Sequence, residues 1–151
     1  MFIVIEGADG FGKSTLVNRL VKAMNETMGH TVHYEFPRRE TPVGKLIDLN
    51  LRGERPLPPD PNDLYSPSAI IQDKENALVF QCLHIADKYA ASGEIAQHLR
   101  AGTNVVCGRW WQSAYVYGVD DSLDERWLRT VHENLVKPDL NVLLELSEEE
   151  M

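Results

Sequence analysis

Residues 2–15 read FIVIEGADGFGKST, and the order of residue types in this stretch decides the fold. Phe2 to Ile5 is an unbroken apolar run without polar alternation, the pattern of a strand buried on both faces of a parallel sheet. Gly7, Gly12, Lys13 and Ser14 then satisfy GxxxxGK[ST]. Behind them Leu16, Val17, Leu20, Val21, Met24 and Met28 recur at helical spacing until Gly29 supplies a stop. A buried strand, a glycine loop and an amphipathic helix in that order form a phosphate-binding unit. The glycines permit the positive-φ bends that turn successive N–H groups inward, and the helix N-terminus adds the positive end of its dipole.

The loop, Gly7, Ala8, Asp9, Gly10, Phe11, Gly12, Lys13, Ser14 and Thr15, is the candidate site for a nucleoside triphosphate. Lys13 bridges the β and γ phosphates in this reading, and the Ser14 hydroxyl helps hold Mg²⁺. Asp9 would repel a phosphate, so its carboxylate is expected to turn towards an acceptor or its sugar; an Asp bonding its own loop backbone is the alternative.

The rest of the chain bounds this reading. Its 151 residues suit one domain, and 43% apolar and 25% charged residues are ordinary for a globular protein. The net charge of −8 is uneven: residues 1–119 carry 12 basic and 13 acidic side chains, residues 120–151 only 3 and 10. No basic stripe appears, so nucleic acid is not an expected partner. The N-terminal apolar run meets Glu6 at once, which fits neither a signal peptide nor a membrane anchor, and a cytoplasmic protein is expected. Cys82 and Cys107 lack metal-ligand or CxxC spacing and read as buried thiols.

Further elements follow in order. TVHYEF (31–36) is a second strand and TPVGKLIDLNL (41–51) a short helix, while residues 52–68 are too rich in proline for regular structure. Ser66 and Pro67 signal a helix whose apolar pattern runs to about Ala91, before Ser92 and Gly93. TNVVC (103–107) is a third strand, Ser122 with Glu125 makes a capping box for the next helix, and NVLLEL (141–146) is a fourth strand. At the end, Ser147 and Glu150 stand at capping-box spacing, so the chain reads as a fragment of a longer one; an acidic tail is the alternative.

With FIVIEGADGFGKSTL, FPRRETPVGKL and GRWWQSAYVYG in this order, the chain resembles the thymidylate kinases among the nucleoside monophosphate kinases. The resemblance implies an α/β, three-layer P-loop NTPase fold with a parallel sheet in the order 2-3-1-4, its fifth strand and lid missing, and one nucleotide kinase domain over 1–151. It implies ATP as phosphate donor with Mg²⁺, and a deoxynucleoside monophosphate as acceptor, with dTMP leading. Arg39 and Arg109 then clamp the acceptor phosphate, Phe36 and Pro37 line its pocket, and Ser113, Ala114 and Tyr117 border the base. Asp9, Lys13 and Arg109 are the catalytic candidates. A homodimer is an arrangement the sequence leaves open.

The chain departs from the family at informative positions. Gly108 stands where the family carries an aspartate, and Glu6 is the best substitute that the sequence offers. His84 replaces the phenylalanine that stacks on thymine and Lys88 the arginine that reads the base edge, although their spacing of four keeps them on one helix face. The rival readings are a deoxynucleoside kinase and a catalytically silent nucleotide-binding protein.

Overall fold

The computed structural model describes residues 1–52 and 74–145. In chain order these form β1 (Phe2–Gly7), α1 (Lys13–Thr27), β2 (Thr31–Glu35), α2 (Pro42–Leu51), α3 (Lys74–Arg100), β3 (Asn104–Gly108), α4 (Trp111–Asp120), α5 (Glu125–His132) and β4 (Leu140–Leu144). The strands pair in parallel in the order β2-β3-β1-β4, as expected. The proline-rich stretch beyond Arg52, the Ser66–Pro67 helix start and residues 147–151 lie outside the described residues.

Successive side chains of a strand point to opposite faces, so the continuous apolar run of β1 feeds two cores. Phe2 and Val4 pack with Val105, Cys107, Phe36, Trp110 and with Ala91 and Ile95 of α3. Ile3 and Ile5 pack with Val106 and with Val17 and Met24 of α1. Each fully buried aliphatic or aromatic side chain contributes roughly 1.5–3 kcal/mol, and the result is a three-layer sandwich with β1 at its centre. β4 is an edge among the described strands, with Leu140 and Leu143 exposed.

Several local readings need correction. Ser92 and Gly93 do not end the long helix, which continues to Arg100. The Ser92 hydroxyl accepts from the Val136 N–H at 3.0 Å, and burial of Ala91 and Ile95 against the sheet outweighs the poor helix propensity of both residues. Ser122 does not cap α5. It sits at φ 62 and its N–H closes the exit of α4 on the Val119 carbonyl, while Asp124 takes the cap by accepting from the Trp127 N–H at 2.7 Å. Cys107 is buried, but Cys82 is exposed, because it shares an outward helix face with Val79.

Candidate functional site

The phosphate loop leaves β1 and turns into α1 through Gly10 (φ 83) and Gly12 (φ 78), the latter serving as the helix N-cap. Such bends are cheap only for glycine. Lys13 is buried and folds back over this loop, its Nζ donating to the Ala8 carbonyl at 2.5 Å and lying 3.7 Å from Asp9 Oδ1. Gly10, Gly12, Lys13, Ser14 and Thr15 open onto a cavity of about 750 Å³. Gly7 instead stays in the sheet beside Leu144, and neither it, Ala8 nor Phe11 lines the cavity.

The same cavity is lined by the residues expected to hold an acceptor. Arg109 follows β3 with a left-handed φ of 66, its N–H bonded to the Ile5 carbonyl at 2.9 Å. Its guanidinium contacts Asp9 Oδ1 and lies 3.4 Å from the Tyr117 hydroxyl. Asp9 thus touches two cations, Lys13 and Arg109. Arg39 also lines the cavity, with its Nε donating to Asp48 at 2.7 Å.

The loop carrying Arg39 is fastened from two sides. Arg38 is buried, its N–H and its Nε each donating to the Asp87 carboxylate at 2.9 Å. On the other side α2 begins at the Thr41 cap, whose hydroxyl accepts from the Gly44 N–H at 3.0 Å. A side chain at Gly44 would collide with the Arg38 carbonyl, so only glycine lets α2 start this close to the loop.

Phe36 and Pro37 line the cavity from the end of β2, joined by a cis peptide bond, and His84 and Lys88 line it from α3. Lys88 is buried, with its Nζ 5.5 Å from the centre of the Phe36 ring. Burial pulls the Lys88 ammonium down to about 8, although Asp87 and Glu6 pull it upward. Burial, with Lys88 and Arg109 adding to it, holds His84 down at about 3, so the imidazole is neutral at pH 7. Its ring meets that of Phe80 edge-on at 4.7 Å. Ser113, Ala114 and Tyr117 reach the cavity from α4.

Glu6 does not supply a free carboxylate in place of the side chain absent at Gly108. Its Oε1 accepts from the Trp110 N–H at 2.8 Å and its Oε2 from the Ser113 hydroxyl at 2.5 Å, which fixes the start of α4 to β1. The cavity also has walls that sequence reasoning missed: Glu35, Leu51, Phe80, Gln81 and Asp121. Glu35 had a readable signal, since it is a charge at the C-terminal end of a parallel strand, where open α/β sheets bind ligands. Gln81 is a buried amide whose Nε2 donates to the Ala114 carbonyl at 2.9 Å and whose Oε1 has no partner among the described residues.

Mg²⁺ fits this donor set only as a shared ion. Among the described residues no group of three or more His, Cys, Asp or Glu could cage a metal, whereas the Ser14 hydroxyl beside Lys13 offers one hard oxygen to a cation that brings phosphate ligands with it. No helix among the described residues is long and apolar enough to cross a membrane.

Comparison with known proteins adds an independent line. The thymidylate kinase family model matches residues 5–151. The chain is 31% identical to the thymidylate kinase of Caenorhabditis elegans over 158 residues, covering 99% of this chain and 64% of that protein. It is 34% identical to a probable thymidylate kinase of Thermococcus kodakarensis, covering 97% of this chain and 66% of the relative. The chain therefore spans somewhat less than two thirds of these relatives. The solved thymidylate kinase of Candida albicans superposes with a TM-score of 0.69 at 24% identity, covering 99% of this chain and 64% of that one. That of Ehrlichia chaffeensis gives 0.72 at 21%, covering 96% and 71%.

Proposed function

Since the chain belongs to the thymidylate kinase family, we propose that it moves the γ-phosphate of ATP to a deoxynucleoside monophosphate, with dTMP the leading acceptor. The observation that carries this reading is one cavity lined by several cations, two of which meet the same Asp9 oxygen. Lys13 lies at the phosphate loop, and Arg39 and Arg109 line the same cavity. A phosphoryl group passing between two anions needs such an arrangement.

In this reading the loop N–H groups and Lys13 hold the donor, and Arg39 and Arg109 hold the acceptor phosphate. Asp9 orients the acceptor sugar and Arg109 together. The acceptor phosphate oxygen attacks the γ-phosphorus, the bond to the β–γ bridging oxygen breaks, and ADP and a nucleoside diphosphate result. The acceptor is already ionised, so no side chain needs to remove a proton, and catalysis is positioning plus electrostatic stabilisation. Ser14 and phosphate oxygens would hold Mg²⁺, which would neutralise charge on the donor. Phe36, His84 and Lys88 wall the base, with the neutral imidazole available for stacking and Lys88 as a donor to a base carbonyl.

A second reading, a deoxynucleoside kinase, is favoured by Glu35, a cavity carboxylate with no hydrogen-bond partner among the described residues. A sugar hydroxyl, unlike a phosphate, needs such a base. ADP release is to be measured with ATP and either dTMP or thymidine. Turnover with dTMP supports the proposal. Turnover with thymidine alone overturns it, and so does ATP binding by calorimetry without ADP release in the presence of any monophosphate.

A further inference from the structure

The space that a side chain at residue 108 would enter is occupied by the Glu35 carboxylate. A Cβ on Gly108 would lie 2.8 Å from Cδ and 2.9 Å from Oε1 of Glu35, with Oε2 closer still. The two residues are register partners at the C-terminal ends of β3 and β2, so the Glu35 carboxylate leans over the bare backbone of the neighbouring strand. It lines the cavity there, and the charges acting on it are those of Arg109, Lys13, His33 and Arg39.

The other carboxylates near the cavity are committed or remote from these cations. Asp9 contacts Arg109 and Lys13, and both oxygens of Glu6 accept hydrogen bonds. The charge acting on Asp121, at the end of α4, is that of Asp120. A carboxylate with no partner among the described residues, beside cations that await phosphates, would repel the ligand unless a further cation came between them. Divalent ions in phosphate sites take this form, shared by phosphate oxygens and one or two carboxylates. We propose that Glu35, reaching across Gly108 from β2, is the carboxylate that meets the divalent cation brought in with the donor triphosphate. This assignment rests on the proposed donor site but not on the identity of the acceptor.

The test uses Mn²⁺ as probe and a non-hydrolysable ATP analogue on the full chain, with electron paramagnetic resonance reporting free Mn²⁺. Glu35→Gln, which keeps the side-chain shape, is expected to weaken Mn²⁺ binding to the protein–nucleotide complex by about tenfold or more. Nucleotide affinity in EDTA should stay unchanged or tighten. Gly108→Asp alone puts two carboxylates in one space and should also weaken Mn²⁺ binding. The double variant Glu35→Ala/Gly108→Asp places a carboxylate on β3 and should recover most of the loss.

Unchanged Mn²⁺ affinity in Glu35→Gln would overturn the proposal, and with lost thymidine phosphorylation it would make Glu35 a base instead. If the chain binds the Mn²⁺–nucleotide through Glu35 yet transfers phosphate to no monophosphate, the proposed function falls and this assignment stands. A wild-type chain that binds no nucleotide would bring down both.

Discussion

Asp87 holds Arg38 by both the backbone N–H and the guanidinium Nε, each at 2.9 Å, with both side chains nearly inaccessible to water. The guanidinium also donates to the Asp87 carbonyl at 3.2 Å and to the half-exposed Glu94 at 3.1 Å, so the loop after β2 is joined to α3 by an ionic tie whose Arg38–Asp87 part is buried. Removing one partner strands the other charge. Asp87→Ala is therefore expected to lower stability by about 3–5 kcal/mol in urea unfolding. Asp87→Asn should cost less, because an amide oxygen still accepts from the Arg38 N–H. Equal losses in the two variants would mean that the charge, and not the retained acceptor oxygen, carries the tie, whereas an Asp87→Asn variant as stable as wild type would mean that charge contributes nothing.

Lys88 makes stability depend on alkaline pH. Its ordinary value of 10.5 applies to the unfolded chain and about 8 to the fold. Below pH 8 both states are protonated and the fold carries the full penalty of a buried ammonium. Between pH 8 and 10.5 the unfolded state binds more protons, so stability from this group rises with pH. Above 10.5 both states are neutral and the penalty is gone. The stability difference between wild type and Lys88→Met should shift in favour of wild type by about 3 kcal/mol from pH 7.5 to 10.5. A difference that stays flat across that range would show that the ammonium is solvated.

Arg109 holds a backbone conformation that suits glycine. A non-glycine residue with φ near 66 carries about 1–2 kcal/mol of strain, and here the strain points a guanidinium into the cavity. Arg109→Ala and Arg109→Gly both delete the cation, so both should lose the same acceptor affinity, but only glycine relaxes the backbone. Thermal unfolding should find Arg109→Gly more stable than Arg109→Ala by about 1 kcal/mol. The reverse order would mean that the backbone at 109 is not strained.

The sequence made the centre of the fold legible and its rim less so. β1 and the phosphate loop could be read because apolar run, glycine spacing and helical period agree over residues 2–24. α4 was missed as a helix: Trp110 offers no side-chain cap, and WWQSAYVYGV is rich in the aromatic and β-branched residues that favour strands. Its helical form comes from tertiary anchoring, through Ser113 to Glu6 and through the Ala114 carbonyl to Gln81. The role of Gly108 was hidden for the same reason, because nothing along the chain reveals that Glu35 fills the space beside it.

Arg39 is expected to be held back by Asp48. Its Nε donates to Asp48 Oδ1 at 2.7 Å, while Arg52 reaches Oδ2 of the same carboxylate at 2.6 Å. The bond from Arg39 holds the Asp48 carboxyl below its ordinary range, so it is ionised at pH 7 and competes with any anion for this guanidinium. Arg39 is 62% exposed, which makes the competition weak and salt-sensitive. Asp48→Asn should tighten monophosphate binding by a factor of about two to five at low salt, with a smaller gain at high salt. Arg39→Ala should weaken binding, and Asp48→Asn should then bring no gain in the Arg39→Ala background. Calorimetric titration of dTMP into the four proteins checks this. If Asp48→Asn helps equally with and without Arg39, the carboxylate acts on the ligand directly and not by occupying the arginine.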